Sequence, residues 1–70
     1  MKKPILVEEV LHRVHQRTSQ RVSHLNVAFV GNRVILEGIA RSYHVKQLAQ
    51  HGVLEVCPDQ SIENKIRVQN

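Results

Sequence analysis

Alternating apolar residues on both sides of the dipeptide Gly31-Asn32 constrain the fold more than any other feature. Both residues of the dipeptide tolerate positive φ, which a two-residue hairpin turn requires. The predicted pairs are Val30–Arg33, Phe29–Val34, Val27–Leu36 and Leu25–Gly38. A slip of one residue would turn the apolar side chains of one strand to the opposite face. The pattern therefore predicts a hairpin with a fixed register.

Helical periodicity flanks this hairpin on both sides. The first helix is predicted from about Pro4 to Thr18, and its apolar residues share one arc. The second is predicted from about Ser42 to Val56, with Ser42 as its N-cap. The segment SIENKIRV alternates between apolar and polar residues, so it predicts a last strand over Ser61–Val68.

The element order is thus α-β-β-α-β, which predicts one α+β domain over residues 1–70. A right-handed crossover through the second helix would make the last strand parallel to the second strand. We expect a three-stranded mixed sheet with two helices packed on one face. The opposite face is open and carries Val30, Ile35 and Ile39, which we predict to be an interface.

Two glycines carry a structural prediction. Gly38 lies between a strand and a helix, but a phosphate-binding loop needs several glycines that end at a helix N-terminus. Its position in the hairpin favours a structural role instead, as clearance for a packed helix. Gly52 lies inside the apolar arc of the second helix, where we expect it to permit close approach of a neighbour.

Charge favours an anionic partner without selecting one. The chain has a formal net charge of +4 and a pI near 9.9, and its ten Lys and Arg residues are scattered. Arg41, Tyr43 and Lys46 flank the start of the second helix and are predicted to contact an anionic membrane. The alternative is a capped helix start with ordinary solvated side chains. Nucleic acid is disfavoured as a partner because the sequence has no GXXG loop and few aromatic residues.

No catalytic residue, metal site or cofactor is predicted. His12 and His15 are three residues apart, and His44 and His51 are seven apart, but neither pair has a third ligand at a recognisable spacing. Cys57 is the single cysteine, so it forms no internal disulfide. Neither an export signal nor a transmembrane stretch is evident, so we expect a cytoplasmic location for the chain as written. A longer exported parent protein would place it in the periplasm or envelope.

A set of spaced residues recurs in a known pattern: Val34, Leu36 and Gly38 in the hairpin, Ala49 in the second helix, and Ile62, Asn64, Ile66 and Val68 in the last strand. With these positions the sequence resembles the BON domain family, the bacterial OsmY and nodulation domain, from about Val7 to Val68. The resemblance implies a non-enzymatic binding module with a role in osmotic-stress protection. Anionic phospholipid is the partner that it implies. A protein partner, a homodimer through the open sheet face and weak nucleic-acid binding are the alternatives.

Overall fold

A computed structural model describes residues 7–69 of the chain. The elements are α1 (Val7–Thr18), β1 (Ser23–Val30), β2 (Arg33–Ala40), α2 (Tyr43–Val56), β3 (Ser61–Asn64) and β4 (Arg67–Val68). The predicted α+β fold with element order α-β-β-α-β is confirmed, and its last strand is divided into β3 and β4. The predicted helix start near Pro4 lies outside the described residues.

The hairpin has the predicted register over most of its length. Val30 pairs with Arg33, and the antiparallel ladder runs from there to the pair Asn26–Glu37. The predicted pair Leu25–Gly38 is wrong, because the register shifts between Ser23 and Asn26. His24 has a φ of +55° within this β-bulge. A bulge inserts one extra residue into one strand and leaves it unpaired.

The last strand follows β2 in parallel but is interrupted at Lys65 and Ile66. The cause is Asn64, whose side-chain Oδ1 accepts a hydrogen bond from the Ile66 backbone N–H at 3.1 Å. Asn64 Nδ2 donates to the carbonyl oxygen of Lys46 in α2 at 3.0 Å. The mixed sheet therefore has four short strands, rather than the three that were predicted, in the order β1-β2-β3 with β4 also beside β2.

The core lies between the sheet and the two helices. It is formed by buried residues from each layer: Val10 and Val14 of α1, Val45, Ala49 and Val53 of α2, Val27, Val34 and Leu36 of the hairpin, and Ile66. Helix α1 lies against β1 and α2, while α2 lies against β2, β3 and β4. This arrangement leaves the opposite face of the sheet without a covering element among the described residues.

The two glycines have different neighbours. A Cβ added at Gly52 would lie 3.1 Å from Val14 Cα in α1, so the predicted close approach is confirmed. At Gly38, a Cβ would lie 2.7 Å from Val22 Cγ1 and 3.0 Å from the Ser23 carbonyl oxygen. The prediction that Gly38 makes room for a helix is therefore wrong. Its φ of +156° and its missing side chain accommodate the bulged start of β1 instead.

Candidate anion-binding groove

A groove lies at the end of the molecule where three connections meet. These are the link from α1 to β1, the turn from β2 to α2, and the residue after β4. The groove encloses about 940 Å³. It is lined by Gln20, Arg21, Ser23, His24, Ile39, Arg41, Ser42, Val45 and Gln69. None of the Asp and Glu side chains between positions 7 and 69 lines it, so no described carboxylate compensates the charge of its two guanidinium groups locally.

Arg21 and Arg41 belong to the half of the described Lys and Arg side chains that form no ion pair with another described residue. Arg13 and Arg17 both form ion pairs with Glu55, and Arg33 and Lys65 both form ion pairs with Glu63. By contrast, Arg21, Arg41, Lys46 and Arg67 form no ion pair with any residue between positions 7 and 69. Two of the four unpaired cations thus converge on one groove.

The first turn of α2 adds to the positive potential of this groove. The Ser42 hydroxyl oxygen accepts a hydrogen bond from the Val45 backbone N–H at 3.2 Å, which fixes the helix start at the groove wall. The first turn of α1 contains Glu8 and Glu9, whereas the first turn of α2 contains no acidic residue. The partial positive charge at the N-terminus of α2 is therefore not offset by its own side chains.

The structure brings together only part of the predicted membrane-contact set. Arg41 lines the groove. Tyr43 is exposed (62% of its surface) on the first turn of α2, but it does not line the groove. Lys46 is half-buried and also lies outside the lining. The groove is completed instead by residues that the sequence reasoning missed, chiefly Arg21 and His24.

A second depression adjoins the groove on the open face of the sheet. It encloses about 520 Å³ and is lined by His24, Glu37, Gly38, Ile39, Lys65 and Arg67. His24 and Ile39 line both cavities. The depression lies where β2 loses regular pairing on both sides, at the bulge in β1 and at the break between β3 and β4.

The predicted interface residues do not form one apolar surface. Val30 is exposed (50%), and its strand neighbour Ala28 pairs with the half-buried Ile35. Ile39 lies beyond the polar pair Asn26–Glu37, where Asn26 Nδ2 donates to Glu37 Oε1 at 3.5 Å. This polar pair separates Ile39 from Val30 and Ile35.

The histidines and the cysteine do not assemble into a reactive site. His12, His44 and His51 are exposed, and His15 is half-buried. Within residues 7–69, no group of three His, Cys, Asp or Glu side chains could hold a metal ion. Cys57 is buried at the C-cap of α2. Burial raises the pKa of its thiol, and the charge of Glu9 raises it further, so the protonated form predominates at neutral pH.

Two further observations bear on function. Neither of the helices described within residues 7–69 is long and apolar enough to span a membrane. No protein-family model, curated protein or solved structure matches this chain.

Proposed function

We propose that this chain is a non-enzymatic, BON-like binding module that contacts an anionic membrane surface through the groove between Arg21 and Arg41. One observation carries the proposal: within residues 7–69, two guanidinium groups without an ion-pair partner share a groove that no Asp or Glu side chain lines. Most other basic residues in the described part of the chain have a carboxylate partner. Two arginines without ion-pair partners in the same groove favour an external anion as their partner.

Phosphate is the anion that suits this groove best. A guanidinium group presents donors in a planar fork that matches two phosphate oxygens, and it remains charged at physiological pH. The Ser42 end of α2 contributes further positive potential on the same wall. Tyr43 projects nearby with most of its ring exposed, and an amphipathic ring suits the boundary between headgroups and acyl chains.

The alternatives receive less support. Self-association through the open sheet face would have to bury the polar pair Asn26–Glu37 along with Val30 and Ile35. Single-stranded nucleic acid is normally held by stacked aromatic side chains, and Phe29 and Tyr43 are the two aromatic residues of the chain. A protein partner with phosphorylated or acidic side chains would use the same groove chemistry. The membrane is favoured over it because Tyr43 exposes an amphipathic ring at the start of α2, next in sequence to the groove residue Ser42.

Vesicle co-sedimentation tests the proposal. The chain is mixed with vesicles of phosphatidylcholine alone and with vesicles that also contain phosphatidylglycerol. We expect binding to the anionic vesicles only, with affinity that falls as salt screens the charges. Each arginine near an anionic surface contributes about 1 kcal/mol, so Arg41→Gln should weaken binding roughly 5-fold.

A matched control separates the groove from net charge. Arg13→Gln also removes one positive charge, but Arg13 lies on α1 and shares Glu55 with Arg17, which keeps that carboxylate paired. We expect Arg13→Gln to bind almost as well as the unmodified chain. Equal binding to neutral and anionic vesicles, or equal losses in the two variants, would contradict the proposal.

A further inference from the structure

We propose that the depression beside Gly38 is a second phosphate subsite, so that the chain engages two neighbouring lipid headgroups at once. This inference rests on the proposed function, because it takes the anionic membrane as the ligand. It adds a site lined by Lys65 and Arg67 to the groove lined by Arg21 and Arg41.

The second depression lies where the backbone pairing of β2 with its two neighbouring strands is irregular. At Gly38 the regular ladder is interrupted on both sides, by the bulge in β1 and by the break in the last strand at Lys65 and Ile66. Asn64 enforces the break, since its Oδ1 accepts the Ile66 N–H at 3.1 Å. The bulge and the break therefore fall beside the same residue of β2, and the depression lies there.

The charges around this opening favour an anion. Arg67 has no ion-pair partner within residues 7–69. Lys65 Nζ lies 3.4 Å from Glu63 Oε2, but it is half-exposed, and Glu63 is also held by Arg33 at 2.9 Å. Glu37 is the opposing charge on the lining, and its Oε1 accepts a hydrogen bond from Asn26. Two cations therefore face one carboxylate.

The two subsites are adjacent but distinct. His24 and Ile39 line both cavities, so they form the shared wall. Arg67 pairs with Ile39 across the sheet, while Arg41 follows Ile39 by two residues. Arg41 and Arg67 are therefore offset by about 7 Å along the strand direction and by about 5 Å between strands, which is roughly 8 Å between their backbones. The separation suits two neighbouring phosphate groups, one in each cavity.

Binding to vesicles with an increasing fraction of phosphatidylglycerol measures how many headgroups are engaged. With two subsites, the binding constant should rise as roughly the second power of the anionic fraction. Arg67→Gln should reduce this dependence to roughly the first power, and it should weaken binding about 5-fold at a high anionic fraction. Glu37→Gln should act in the opposite direction and tighten binding, which a loss of structure would not do.

The controls distinguish this inference from the proposed function. Arg13→Gln is the charge-matched reference for Arg67→Gln. A first-power dependence together with equal affinities of Arg67→Gln and Arg13→Gln would overturn the second subsite, while a continued loss in Arg41→Gln would leave the groove proposal standing. Binding of soluble tripolyphosphate without binding of anionic vesicles would overturn the assignment of the two phosphates to a bilayer.

Discussion

Replacing Gly52 by alanine sets two opposing energies against each other at the contact between α1 and α2. Alanine is favoured over glycine in a helix by about 1 kcal/mol. The added Cβ, however, would lie 3.1 Å from Val14 Cα and 3.3 Å from the Arg13 carbonyl oxygen. Both are backbone atoms, so they cannot move aside as a flexible side chain would. Overpacking in a tight core costs about 1–3 kcal/mol.

The net result should therefore be a loss of stability. We expect Gly52→Ala to lower the free energy of unfolding by about 1 kcal/mol, the difference between about 2 kcal/mol of overpacking and about 1 kcal/mol of helix propensity. For a domain of this size, that loss lowers the melting temperature by about 4–8 °C. Urea unfolding followed by circular dichroism, together with a thermal scan, measures both quantities.

An exposed neighbour supplies the control for helix propensity. His51 precedes Gly52 in α2 and is exposed, so His51→Ala changes propensity without adding a contact at the helix interface. We expect that variant to be equal to the parent or more stable by up to about 0.7 kcal/mol. A Gly52→Ala protein that is about 1 kcal/mol more stable than the parent would refute the steric reasoning, because helix propensity alone would then account for the outcome.

Two other variants test separate parts of the fold. Gly38→Ala should abolish cooperative thermal unfolding, because backbone strain of about 1–3 kcal/mol at positive φ adds to the overlap of the new Cβ with Val22 and Ser23. A core of this size supplies only about 3–5 kcal/mol of stability. An unchanged melting temperature would contradict this prediction. Folding raises the pKa of the Cys57 thiol above its ordinary value of 9.0, so the thiol ionises at lower pH in the unfolded chain than in the folded one. The free energy of unfolding should therefore fall as the pH rises from about 9 toward the raised pKa. Cys57→Ala should flatten that decline in urea midpoints measured from about pH 7 to about pH 10.5, and an equal slope in both proteins would show that the thiol does not contribute.

The hairpin could be predicted from the sequence because its determinants are local. The dipeptide Gly31-Asn32 sets the turn, and the alternation of apolar residues sets the register as far as the pair Asn26–Glu37. The bulge at His24 has no such signal, since the residue with positive φ is neither glycine nor asparagine. Its cause is tertiary: the chain leaving α1 enters β1 directly over Gly38.

The break in the last strand had a weak local signal. Asparagine side chains compete for nearby backbone donors, and Asn64 does so with the N–H of Ile66. The same side chain also needs the Lys46 carbonyl of α2 to hold it in place, and that contact depends on how the helix packs. Alternation alone therefore predicted one continuous strand.

The candidate site could be predicted only in part for a similar reason. Arg41 was found because it precedes a capped helix, which is a local pattern. Arg21 and Arg67 belong to distant segments that meet only in the folded chain. The informative property of these arginines is the absence of a carboxylate partner among residues 7–69, which depends on three-dimensional pairing rather than on composition.

The parallel pairing of β3 and β4 with β2 has a consequence for the order of folding. The hairpin joins residues that are close in sequence, whereas the parallel pairs form only after α2 has crossed over the sheet. Such non-local contacts form late. We therefore expect Arg67 to reach its depression after the rate-limiting step, so that the proposed phosphate ligand would stabilise the native state more than the transition state. Ligand would then slow unfolding while leaving the folding rate almost unchanged.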